Sequence, residues 1–124
     1  MSVHKAISKK KRMQVYKKYG GHCAYCGCEL EYKDMQVDHI KSLYIHSDRR
    51  SDMDWNAIND VGNLMPSCRQ CNFYKNTGDI EYLRKRLADD LVRNLRKPFD
   101  YRLAIKYGLV EEHIHPIVFY FEKQ

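Results

Sequence analysis

Apolar and polar positions sort into helical and strand-like periods along most of the chain. Val15, Tyr16 and Tyr19 share one side of a 3.6-residue repeat, and Lys10, Lys11, Gln14, Lys17 and Lys18 share the other. That pattern predicts a helix from Ser8, a residue able to cap it, to about Tyr19, where Gly20-Gly21 ends it. Glu29 to Met35 reads as a turn entering a short strand at Gln36-Val37-Asp38-His39-Ile40, in which apolar residues surround a polar pair. Gly62-Asn63-Leu64-Met65-Pro66-Ser67 leads back as a second short strand. Ile80, Leu83, Leu87, Leu91 and Leu95 keep helical spacing opposite Arg84, Lys85, Arg86, Asp89 and Asp90. A long helix capped by Thr77 or Asp79 should therefore pack its leucines into the core until Pro98 stops it. Tyr101 to Tyr107 predicts another short helix ended by Gly108, and Ile117 to Phe121 a strand or a packed tail. Ser47, Asp48, Arg49, Arg50, Ser51, Asp52 and Asp54 read as an exposed loop, anchored by Trp55, Ile58 and Val61 through a short helix over Asp54–Asn59. Short strands beside helices make the expected class α+β.

At 124 residues the chain suits one domain, 1–124, with a core small enough for a structural metal to help hold it. There is no N-terminal apolar run, so neither a signal peptide nor a membrane span is expected, and the expected location is the cytoplasm. In that compartment the five cysteines are more often metal ligands than disulfides. Of 22 Lys and Arg, seven stand in residues 1–20 with no acid among them, which leaves 15 against 16 Asp and Glu in the rest. The formal charge of +6 is therefore an N-terminal property. Carried on one helix face, it makes Lys10, Lys11, Lys17 and Lys18 candidate contacts to nucleic-acid backbone phosphates. The plainer alternative is a solvated helix face.

Cys23-Ala24-Tyr25-Cys26-Gly27 is a zinc-turn pattern, with a glycine that lets backbone amides turn toward the sulfurs. One C-x-x-C is weak evidence; with Cys68-x-x-Cys71 there are four thiolates, enough to close a tetrahedral structural zinc site. Cys28 is left over as an ordinary thiol or a competing ligand, and His22, His113 and His115 read as packed or exposed.

In chain order stand Cys23-x-x-Cys26, Asp38-His39, Asn63 and Cys68-x-x-Cys71-Asn72-x-x-Lys75. This order resembles the HNH endonuclease family in its cysteine-flanked form, over about residues 8–80. The resemblance implies a ββα-metal (His-Me finger) core, with an N-terminal basic helix before it and C-terminal helices over about 80–124, a part similar to the tails of small phage-type HNH proteins. It implies that Asp38 and Asn72 hold a catalytic divalent ion, that His39 is the general base and that Asn63 keeps the His39 loop in place. Lys75 would add positive charge near the phosphate, and Cys23, Cys26, Cys68 and Cys71 would bind structural zinc. Asn72 stands where the last histidine of the family name would be, and the long His39-to-Asn63 separation implies an inserted loop at 41–61.

Elementary chemistry is consistent with those roles. Phosphodiester hydrolysis needs an activated water and charge neutralisation, and an unperturbed imidazole suits a base near neutral pH. Oxygen donors suit Mg²⁺ or Mn²⁺, whereas thiolates suit Zn²⁺. The expected activity is metal-dependent cleavage of DNA by a monomer or weak homodimer with no membrane partner. A zinc-stapled nucleic-acid-binding module without catalysis would use the basic helix and the cysteines but not Asp38, His39, Asn63 and Asn72 together. A zinc domain for protein partners would leave the basic stripe unused.

Overall fold

A computed structural model describes residues 7–40 and 59–124. Trp55, Ile58, Arg49, Arg50 and all but the last residue of the helix expected over Asp54–Asn59 lie outside the described residues. Helix α1 spans Lys9–Lys17, and the Ser8 hydroxyl accepts from the Lys11 N–H at 3.1 Å, satisfying one of its otherwise unpaired donors. Strand β1 is Gln36–His39 and strand β2 is Leu64–Ser67, preceded by a 3-10 turn at Val61–Asn63. They pair antiparallel, with Asp38 opposite Met65 and His39 opposite Leu64. Helix α2, Arg69–Lys75, starts at once, with Cys68 as its N-cap. The result is a mixed architecture of helices around a small two-stranded sheet.

Side chains alternate faces along a strand, and β2 uses both. Leu64 packs with Val15 and Met35 under α1, whereas Met65 packs with Cys23, Ala24, Tyr25, Leu83 and Phe119. Every position of β2 is buried, so the sheet is a partition between two small cores. Burying each of Val15, Met35, Leu64, Met65, Leu83 and Phe119 contributes roughly 1.5–3 kcal/mol. The same alternation turns Asp38 toward the cysteine-rich side and His39 toward the other, at the strand's last residue.

Helix α1 is held down by its polar side chains as well as by Val15. The Arg12 guanidinium donates to the carbonyls of Tyr32 and Met35 at 2.9 and 2.8 Å, and the Tyr16 hydroxyl to that of Leu30 at 2.7 Å. Lys18 departs from the expected exposed stripe. It lies just past the last turn of α1, and its ammonium donates to the carbonyls of Val61 and Leu64 at 3.0 and 2.9 Å. It ties α1 to the entrance of β2, and burial pushes its pKa down. Lys10 and Lys17 are exposed and Lys11 half-exposed.

The expected long helix is interrupted. Helix α3, Ile80–Lys85, is capped by the Asp79 carboxylate, and a π turn at Arg86–Asp90 separates it from α4, Leu91–Leu95. The wider turn shifts the following residues by about one position, roughly 100° around the axis. Leu83 is accordingly buried, while Leu91 and Leu95 are 43% and 48% exposed, contrary to the core packing their spacing predicts. Helix α5, Phe99–Lys106, ends as predicted at Gly108, whose φ of +72 favours glycine. Ile117 to Phe121 is a packed tail. The Tyr120 and Phe121 amides donate to the carbonyls of Tyr25 and Ala24 at 3.0 and 2.8 Å, and Arg84 grips Glu122 with two hydrogen bonds of 2.9 and 2.7 Å. No described helix is long and apolar enough to cross a membrane.

Lys18→Met should lower stability by ~1–3 kcal/mol, because two carbonyls lose a charged donor. Lys10→Met should leave the urea midpoint within about 0.5 kcal/mol of the parent. Equal midpoints for the two variants would contradict the anchoring role of Lys18.

Candidate active site and metal centre

Cys23, Cys26, Cys68 and Cys71 converge from the two C-x-x-C turns, their sulfurs all within 4.8 Å of one another. Local backbone chemistry builds each turn. The Cys23 N–H donates to the Cys28 carbonyl at 2.8 Å and the Gly27 N–H to the Cys23 carbonyl at 3.0 Å. Gly27 has a φ of +81, and a Cβ there would lie 2.7 Å from the Tyr120 ring, so both conformation and space exclude a side chain. In the second turn Cys68 caps α2, its sulfur 3.4 Å from the Cys71 N–H. The Ala24 N–H donates to the Pro66 carbonyl at 2.8 Å, which docks the first turn onto β2 just before the second.

Charge decides what this cluster can hold. A hydrogen bond from Cys71 brings the Cys23 thiol down to about 4, while giving that bond raises Cys71, and burial raises Cys26. One thiolate is stabilised at the expense of its neighbours, so four thiolates together require a cation among them. Four sulfur donors at this spacing fit Zn²⁺. Cys28 is exposed, its thiol is pushed up to about 12 chiefly by desolvation, and it stands outside the four.

Beside this cluster sits a buried carboxylate. Asp38 is 5% exposed, and the ammonium of Lys75, fully buried on α2, lies 2.9 Å from Oδ2 and 3.2 Å from Oδ1. Lys75 also donates to the His39 carbonyl at 2.9 Å. The Tyr25 hydroxyl donates to Asp38 Oδ2. Burial, followed by the charge of Asp38, raises the Tyr25 pKa, which keeps the phenol a neutral donor. This placement of Lys75 differs from the expected one: α2 packs on β1, and the ammonium is spent on the carboxylate and a strand carbonyl instead of reaching outward.

His39 is half-buried, at the end of β1, which allows adjacent residues on opposite faces to serve one region. Its Nε2 lies 2.9 Å from Asn59 Oδ1. In the tautomer that donates this bond from Nε2, the lone pair stands on Nδ1. Asn63 reaches the same place through its main chain, its carbonyl accepting from the Ile40 N–H at 2.8 Å. Asn72 lies in the middle of α2, half-buried, with Lys75 three residues on. The sequence pattern missed Tyr25 and Asn59. Tyr25 stands inside a zinc turn where any residue satisfies the motif, and Asn59 stands in the stretch with the weakest periodicity.

Two antiparallel strands, a helix entered through a cysteine pair and a four-sulfur cluster able to hold a metal ion define a small cysteine-clustered module. The HNH endonuclease family model matches residues 23–78, the segment that holds all of these elements. Over 61 residues the chain is 34% identical to the Bacillus subtilis (strain 168) protein named "SPbeta prophage-derived putative HNH endonuclease YoqL". That match covers 46% of this chain and 24% of the relative, so the chain spans about a quarter of the relative's length. No solved structure gives a significant match.

Elemental analysis should find about one zinc per chain. Zinc binding should weaken on acidification, because protons compete with the metal for the thiolates. Cys68→Ser should lower the melting temperature together with zinc content; a zinc-free protein with the parent's melting curve would refute the structural role.

Proposed function

We propose that this protein is a metal-dependent DNA endonuclease that hydrolyses phosphodiester bonds, with β1, β2 and α2 as its ββα-metal core inside a single domain, 1–124. The observation that carries the reading is the position of Asp38-His39. The pair ends β1 against α2, next to the four-cysteine cluster, within the segment that matches the HNH model. A non-catalytic zinc module would need the cysteines and the basic helix but not Asp38, His39, Asn63 and Asn72 together.

His39 acts as the general base. With Nε2 turned to Asn59, its Nδ1 lone pair takes the proton from the attacking water. Asn63 supports the segment that carries His39, by the main-chain bond to Ile40. Asp38 and Asn72 supply a carboxylate and an amide oxygen, a donor set that fits Mg²⁺ or Mn²⁺. When bound, that ion neutralises phosphate charge. Lys75 acts through Asp38: it balances the buried carboxylate and fixes its direction. Lys10, Lys11 and Lys17 contact backbone phosphates, and the cysteine cluster holds structural zinc.

Supercoiled plasmid incubated with the protein and Mg²⁺ or Mn²⁺ should be relaxed or linearised. His39→Ala should keep zinc, fold and DNA binding and lose ~10²–10⁴-fold in rate. A variant that cuts near the parent rate would overturn the assignment of His39.

Neutralising Lys10, Lys11 and Lys17 together should weaken binding on every DNA sequence and flatten its dependence on salt. An unchanged slope of affinity against salt would reduce the stripe to a solvated face.

A further inference from the structure

We infer that Tyr25 is a positioning residue for the catalytic ion: its hydroxyl, together with the Lys75 ammonium, fixes the carboxylate of Asp38, the proposed metal ligand. The inference rests on the nuclease reading above and goes past it, since neither the sequence motif nor the family match gives Tyr25 a task. The two oxygens of Asp38 are not equivalent. Oδ2 receives the Tyr25 hydroxyl and the Lys75 ammonium at 2.9 Å, and Oδ1 accepts a hydrogen bond from the same ammonium at 3.2 Å, so Tyr25 is what distinguishes the two. A carboxylate rotates about its terminal torsion unless its oxygens are held, and Tyr25 with Lys75 holds this one in a single orientation.

The tyrosine is itself immobilised. It is 2% exposed, and Phe119 and Phe121 meet its ring edge-on at 5.4 and 6.2 Å between centroids. The main-chain bonds from Tyr120 and Phe121 to Tyr25 and Ala24 fasten these phenylalanines to the first cysteine turn. Arg84 fastens the tail through Glu122 and lies over the Phe119 ring at 4.7 Å. The order of support therefore runs from the C-terminal tail to Tyr25, from Tyr25 to Asp38, and from there to the ion. Because Tyr25 lies between Cys23 and Cys26, the same turn that contributes two sulfurs also aims the catalytic carboxylate.

The test uses zinc-loaded full-length protein and Mn²⁺ as probe. Free Mn²⁺ is followed by electron paramagnetic resonance, and plasmid cleavage is measured across Mn²⁺ concentration. Tyr25→Phe removes the hydroxyl and keeps the packed ring. It should retain zinc and weaken Mn²⁺ binding by about 10–100-fold, the size expected for losing a group that orients a metal ligand. Its cleavage deficit should be large at low Mn²⁺ and shrink at saturation. Phe121→Leu loosens the same ring with the hydroxyl in place; it should lower the melting temperature more than it lowers Mn²⁺ affinity. The inference falls if folded Tyr25→Phe binds Mn²⁺ as the parent does. It also falls if both variants lose Mn²⁺ affinity only in proportion to lost stability. Parent protein that neither binds Mn²⁺ nor cuts DNA would instead defeat the nuclease reading.

Discussion

A carboxylate taken out of water has to be met by positive charge and hydrogen-bond donors, and here that requirement draws three separate segments to one point. Asp38 comes from β1, Lys75 from α2 and Tyr25 from the first cysteine turn. Removing one partner of a buried ion pair typically costs 3–5 kcal/mol, because the other charge is left without an answer. The arrangement therefore specifies where α2 lies on the sheet and how the cysteine turn is rotated. Among the described residues no buried side-chain nitrogen or oxygen lacks a hydrogen-bond partner.

The thiol cluster poses the opposite electrostatic problem. The carboxylate has its counter-charge within the chain, whereas four adjacent thiolates can be balanced only by a cation from outside. Donor chemistry keeps the two needs apart. Sulfur selects a soft or borderline ion, and oxygen selects a hard one. The turn around Tyr25 serves both centres, and that shared turn is the physical link between folding and the proposed chemistry.

The basic N-terminal segment divides in the same way between structure and surface. Arg12 and Lys18 are drawn inward by carbonyl groups that would otherwise lose their partners, whereas Lys10 and Lys17 stay in solvent. Formal charge alone cannot separate these cases, since all four residues count equally toward +6. What separates them is which carbonyls the rest of the fold leaves within reach.

Much was legible from local signals. The cap of α1, the glycine stops, the two short strands and the convergence of two C-x-x-C turns follow from periodicity, backbone preference and ligand spacing, which act over a few residues. The register of the leucines after the π turn was not legible, because one extra residue in a turn leaves no mark on the spacing of Leu83, Leu87, Leu91 and Leu95. Nor were the inward turn of Lys75, the anchoring of Lys18 or the partnership of Tyr25 with Asp38. Each joins residues 13 to 46 positions apart, and each depends on which polar group burial leaves in need of a partner. The sequence by itself determined most of the element types and which four cysteines come together. Only the tertiary structure decided which charges face inward, because desolvation acts on a group's whole surroundings and not on its neighbours in the chain.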